Sequence, residues 1–212
     1  MDTNQKKHIH SSSEEIANSI THGLGLLLSV VGLFALLYYN NPENDVWRYV
    51  GFSIYGTSLI LLYLSSTLYH SSTNNNLKII FKRFDHSAIF LLIAGTYTPI
   101  VLIAMRDTWV IYLFILVWIM TVFGITGEFL FTEKFKSIEF IMYIAIGWMA
   151  IIAIKPLLRL PVEIFIWIMI GGITYSIGAI FYRWEKLPFN HTIWHLFVLG
   201  GSLSHFIAMF YL

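Results

Sequence analysis

Seven runs of about 20 mostly apolar residues, separated by short polar punctuation, constrain this chain more than anything else in it. They span roughly Ile20–Tyr39, Trp47–Tyr69, Ser87–Met105, Trp109–Phe131, Ile138–Ile154, Val162–Tyr182 and Thr192–Leu212. A helix rises about 1.5 Å per residue, so each run matches the roughly 30 Å hydrocarbon core of a bilayer. Lipid offers no hydrogen bonds to the backbone, which leaves only helices and closed barrels as spanning structures. The runs are too long and too continuously apolar to be barrel strands. The composition agrees: 57% of the residues are hydrophobic and 12% charged, against about 25% charged in soluble domains. A soluble fold of this length buries only roughly 70% of its unfolded surface and could not hide such an excess. Disorder requires the opposite bias. The expectation is an all-α membrane protein, a seven-transmembrane helix bundle over residues 20–212 with a polar tail over residues 1–19.

The connections are short, so consecutive helices should be antiparallel neighbours. The first run follows the polar tail and precedes six more, so it does not read as a signal peptide. Basic residues set the orientation. Lys6, Lys7, Lys78, Lys82, Arg83, Lys134, Lys136, Arg183 and Lys186 fall on the side of the N-terminus, whereas Arg48, Arg106, Lys155 and Arg159 fall on the other. The N-terminus is therefore expected to be cytoplasmic and the C-terminus outside, in a multi-pass protein of the cell membrane whose partners are membrane lipids. Trp47, Trp109, Trp184 and Tyr39 stand near span ends, as interfacial anchors do. A net charge of +1 gives no electrostatic case for nucleic acid. Ser13, followed by Glu14, Glu15 and Ile16, suggests a capped amphipathic turn leading into the first span. Thr98-Pro99 predicts a kink, and the span glycines read as close-packing positions.

The polar residues inside or beside the spans are sparse and gather at one face. Thr21-His22-Gly23 opens the first span, and Ser65-Ser66-Thr67-Leu68-Tyr69-His70 closes the second. Asp85-His86-Ser87 opens the third, and Asn190-His191-Thr192-Ile193-Trp194-His195 opens the seventh. Four helices thus bring histidines to the same membrane edge, where each ionisable group is costly and asks for a reason. His191 and His195 lie one helical turn apart on one face, a spacing that suits two ligands of one metal ion. His70 is the natural third ligand. The chain has no cysteine, so any metal is held by nitrogen or oxygen, and imidazole favours zinc. Three histidines leave a fourth position open, as in catalytic zinc sites. Asp85 could orient or deprotonate a water there. Ser66, four residues before His70, could support either group. His205 is too far along its helix to join the site and is expected to make a buried interhelical hydrogen bond, with Ser202 or Ser204 nearby. His86 reads as structural, and His22 as a supporting or helix-end contact. Glu128 reads as interfacial or buried near the inner end of the fourth span. The tail pair His8 and His10 reads as a solvated feature.

The segments EEIANSITHGLG (Glu14 to Gly25), STLYH (Ser66 to His70), FDHSAIFLLIAGTYTP (Phe84 to Pro99) and HTIWHLFVLGGSLSH (His191 to His205) together resemble the bacterial hemolysin III family, a branch of the progestin and adipoQ receptor superfamily. The resemblance runs from about residue 14 to residue 212. It implies seven helices, a cytoplasmic N-terminus and a zinc ion held by His70, His191 and His195. It implies too that Asp85 contacts the metal through water and that Ser66 is the motif serine. It further implies a link to ceramidase-like hydrolysis of lipid amides and to membrane homeostasis. The chain has no long N-terminal domain, so a hormone-receptor role is not expected. Three functions follow as expectations. The first is a zinc-dependent hydrolase of a lipid amide. The second is a membrane sensor or regulator in which zinc is structural. The third is a pore or transporter, which the absence of a polar stripe or charged ring along the spans disfavours.

Overall fold

A computed structural model describes residues 11–40 and 45–212, and the side chains of all of these except residues 132–137. His8, His10, Lys6 and Lys7 lie outside the described residues, as do the side chains of Lys134 and Lys136. No strand occurs among the described residues. Seven helical stretches there are long and apolar enough to cross a membrane: Ser12–Tyr39, Val46–Ser71, Asn75–Met105, Val110–Phe131, Ile138–Leu157, Val162–Arg183 and Asn190–Met209.

The helices outrun the apolar runs at several ends, because hydropathy marks the limits of lipid whereas capping marks the limits of the helix. Helix α1 (Ser12–Tyr39) starts at an N-cap two residues earlier than Ser13 suggested: the Ser11 side chain accepts the Glu14 N–H. The acidic pair therefore lies in the first turn of the span itself, where it favours the helix dipole. After α2 (Val46–Ser71), helix α3 (Asn75–Pro99) begins well before Ser87, since the Asn74 side chain accepts from the backbone of Asn76 and Leu77. Pro99 removes a backbone donor. The expected irregularity follows as a π-helical stretch over Ile100–Met105.

Helical backbone continues from Val110 to Trp148 (α4), so the polar punctuation at residues 132–137 does not end the helix as expected. Yet Thr121 and Tyr143 both reach Phe90, through a hydrogen bond to its carbonyl and a ring contact at 4.5 Å respectively. A straight helix would separate these two residues by about 33 Å. The chain must therefore reverse between the fourth and fifth spans while its backbone stays locally helical. A 3-10 stretch, Met149–Ala153, interrupts the fifth span. The Tyr97 hydroxyl serves the backbone there: it donates to the Ile146 carbonyl and accepts from Ala150 N–H at 2.8 Å. The short α5 (Ile154–Leu157), then α6 (Val162–Arg183) and α7 (Asn190–Met209), complete the bundle.

The main packing partners run α6–α7–α1–α2–α3–α4. Helix α1 shows how lipid inverts the usual pattern. Its buried face is Glu14, Asn18, His22, Gly25, Ser29, Gly32 and Leu36, at helical spacing. Leu27, Leu28, Val31 and Phe34 point outward, each about two-thirds exposed to what would be lipid. Small residues let the backbones approach: a Cβ on Gly51 would stand 2.9 Å from the Pro99 Cα, against the α3 backbone where it departs from regular helix. At the end of the bundle where α1 and α7 finish, Asn40 Nδ2 donates to the Met209 carbonyl at 2.6 Å. The Arg48 guanidinium there donates to the carbonyls of Asn40 and Leu212. The other end carries the histidines.

Candidate metal centre

His70 ends α2, while His191 and His195 occupy the first turns of α7. The packing of α2 and α7 on either side of α1 brings them together. One ring nitrogen from each of the three lies within 4.8 Å of the other two. The ring centroids stand 4.6 to 5.0 Å apart. His70 and His195 are buried and His191 is half-buried. The start of α7 is fixed by an unusual turn. Phe189 adopts a left-handed backbone (φ 56°), and the Asn190 amide donates to the carbonyls of Phe181 and Tyr182 at the end of α6.

Helix α1 aims the rings. His70 Nδ1 lies 2.7 Å from a Glu15 carboxylate oxygen, and Lys78 Nζ donates to the other oxygen at 2.9 Å. A carboxylate can only accept, so His70 Nδ1 carries the proton and Nε2 is the ligand atom. His195 Nδ1 lies 3.3 Å from the Asn18 carbonyl oxygen and 3.3 Å from Thr21 Oγ1. The Thr21 hydroxyl donates to the Ala17 carbonyl, so it accepts from His195, and Nε2 is again the ligand atom. Asn18 Oδ1 accepts from Thr192 Oγ1 beside His191. Carboxylate or carbonyl partners on the second ring nitrogen are the usual support of metal-bound histidine. The residues present thus fit a metal that takes three imidazole nitrogens and keeps an open position, the arrangement typical of zinc. His22 is buried and stacks on His195 with centroids 3.5 Å apart, and neither of its ring nitrogens has a hydrogen-bond partner.

Ser66 and Asp85 are both buried, and the Ser66 hydroxyl has no hydrogen-bond partner. They line, with His22, His191 and His195, one cavity of about 1090 Å³. The same cavity extends between apolar side chains such as Leu92, Ile100, Met105, Leu113 and Leu157. His205 does make an interhelical hydrogen bond, but to the Ile168 carbonyl at 3.2 Å rather than to a serine. Ser202 is already engaged by the hydroxyls of Tyr63 and Tyr175, and Ser204 by the Gly200 carbonyl. His86 meets Glu128 and Glu139 rather than the triad.

Glu15, Asn18, Thr21 and Glu139 escaped the sequence reading. The signal for Asn18 was present, and it corrects the expectation that the spans carry no polar stripe. A polar stripe at helical spacing, Glu14, Asn18, His22 and Ser29, runs along one face of an otherwise apolar span, and such a face must look inward.

Known proteins extend the same pattern. The family described as "Haemolysin-III related" matches residues 10–206. A Bacillus subtilis (strain 168) protein named "Hemolysin-3 homolog" is 46% identical over 199 residues, covering 93% of each chain. "Hemolysin-3" of Bacillus cereus is 47% identical over 200 residues, covering 93% of this chain and 91% of its own. The human "Monocyte to macrophage differentiation factor" is 28% identical over 202 residues, covering 92% of this chain and 83% of its own, in keeping with the superfamily branch that the motifs resemble. With its seven spans and a family match that covers nearly its whole length, the chain belongs to the haemolysin-III-related family of multi-pass membrane proteins.

Proposed function

We propose that this chain is a zinc-dependent hydrolase of a lipid amide, embedded in the bacterial plasma membrane with its N-terminus and metal centre at the cytoplasmic side. The observation that carries the reading is the convergence of His70, His191 and His195 on one another, where His191 and His195 line the same cavity as Ser66, Asp85 and a set of apolar side chains. The excess of lysine and arginine on the N-terminal side favours the orientation. His70, His191 and His195 would hold the ion through Nε2 of the first and third and a ring nitrogen of His191. Zinc supplies Lewis acidity there, polarising a carbonyl and acidifying a water. The Asp85 carboxylate takes the proton from the attacking water and returns it to the leaving nitrogen as the amide bond breaks. The Ser66 hydroxyl, buried without a partner, is available to hydrogen-bond the reacting group. The apolar side chains of the cavity exclude water and accept an acyl chain.

Purified protein incubated with fluorescent ceramides and other lipid amides tests this. Turnover should appear with zinc, vanish with a chelator and be lost in His195→Ala. Turnover that survives His195→Ala, or none on any lipid amide, overturns it. A second reading has its own observation: Glu15, Asn18 and Thr21 tie α1 to ligands on both α2 and α7, so the metal would staple three helices and serve as folding energy. Asp85→Asn separates the two. A hydrolase loses turnover with metal retained, whereas a regulator with structural zinc keeps its function.

A further inference from the structure

A second polar cluster, which this function does not use, adjoins the same cavity. His86 on α3, Glu128 on the fourth span and Glu139 on the fifth each offer one ligand atom, and these lie within 4.8 Å of one another. His86 Nδ1 stands 3.1 Å from one Glu139 oxygen, 3.3 Å from the other and 3.9 Å from a Glu128 oxygen. Both glutamates are at least nine-tenths buried (5% and 3% exposed), yet the second Glu128 oxygen has no hydrogen-bond partner. The Tyr143 hydroxyl contacts Glu139 and donates to the His86 carbonyl at 2.8 Å, which holds one carboxylate and the start of the inner α3 segment in place.

Two carboxylates and one imidazole make an unbalanced group. Within the cluster a protonated His86 offsets only one of the two negative charges; Lys82 and Arg83 act on Glu128 from α3, yet neither bonds its buried second oxygen, and such an atom left unmatched in a membrane bundle is expensive. We propose that His86, Glu128 and Glu139 bind a second divalent cation, of the zinc–manganese class. One nitrogen and two oxygens suit such an ion, and the oxygen-rich set shifts preference toward manganese relative to three imidazoles. Ligand atoms of one ion stand about 3.3 Å apart, and Glu128 stands 3.9 Å from His86 and within 4.8 Å of Glu139, so it has at most about 1.5 Å to close. His86 and Glu139 line the same cavity as His191 and His195, so the ion would stand at the wall of that cavity. This proposal does not depend on the hydrolase reading.

The test uses the full chain in detergent, stripped with chelator, reloaded with zinc or manganese chloride and desalted before metal analysis. The unsubstituted chain should retain about two equivalents of zinc, one in each site. His191→Ala/His195→Ala removes the first site alone and should keep about one equivalent of zinc or manganese, with a metal-dependent rise in Tm. Adding Glu128→Gln and Glu139→Gln should abolish both. One equivalent or fewer in the unsubstituted chain, or metal that survives loss of both glutamates, overturns the proposal. Where the combined variant fails to fold, manganese paramagnetic resonance on the His191→Ala/His195→Ala chain decides. Nitrogen coupling from a single imidazole supports the site, and the spectrum of the hydrated ion alone overturns it. Loss of lipid hydrolysis with both ions retained would sink the hydrolase reading and leave this one standing.

Discussion

The two ends of the bundle are built from similar materials to opposite effect. Where α1 and α7 finish, Asn40 and Arg48 close on the carbonyls of Met209 and Leu212, and each donor named there meets an acceptor. At the histidine end, Ser66, His22 and a Glu128 oxygen are buried without partners, beside rings already aimed by α1. A buried polar atom without a partner costs about 1–3 kcal/mol. The named groups at one end of the molecule therefore close it, while those at the other leave buried polar atoms unmatched beside the candidate metal centre. Unsatisfied atoms, more than residue type, separate a clasp from a site.

Substitutions at the two ends should diverge accordingly. The largest effect is expected for His195→Ala: loss of one of three ligands should weaken zinc retention on the order of a thousandfold, read by metal analysis after desalting against a zinc buffer. Glu15→Gln keeps the shape but removes the charge that holds the proton on His70 Nδ1, and should weaken zinc affinity by about 10- to 100-fold in a competition titration. Arg48→Met breaks the clasp at the far end. It should lower stability by about 2 kcal/mol, through lost charge-assisted hydrogen bonds, with zinc content unchanged; a drop in bound zinc would break the comparison. Ser66→Ala is the smallest in stability. The hydroxyl is buried without a partner, so its removal should raise stability by about 1 kcal/mol, while hydrolysis of a lipid amide falls. A Ser66→Ala chain that unfolds easily would show that the hydroxyl belongs to the closure and not to the site.

How much of this was legible depends on whether a residue's partner lies in its own helix. The seven spans were readable because each apolar run is a local property of about 20 residues. His191 and His195 were readable because one turn of helix relates them, and His70 because it ends a span at the same face. Glu139 was not, since nothing in sequence relates it to His86; they meet only because the chain doubles back after residue 131 and lays the fifth span against α3. The His205 partner was missed for a similar reason, being a backbone carbonyl that has no signature in sequence. Residues 132–137 read as a loop because polarity marks where lipid ends, and a helical backbone in water obeys no such limit.

The position of the metal triad along the chain carries a temporal meaning. His195 hydrogen-bonds Thr21 across 174 positions of sequence, and two of the three histidines stand on the seventh span, made after the other six. No ion can be gripped by all three until that helix has entered the bilayer and packed against the first two. Metal capture at the proposed centre would thereby report finished insertion, and a chain that stalls after its sixth span would bring only His70 of the three to it.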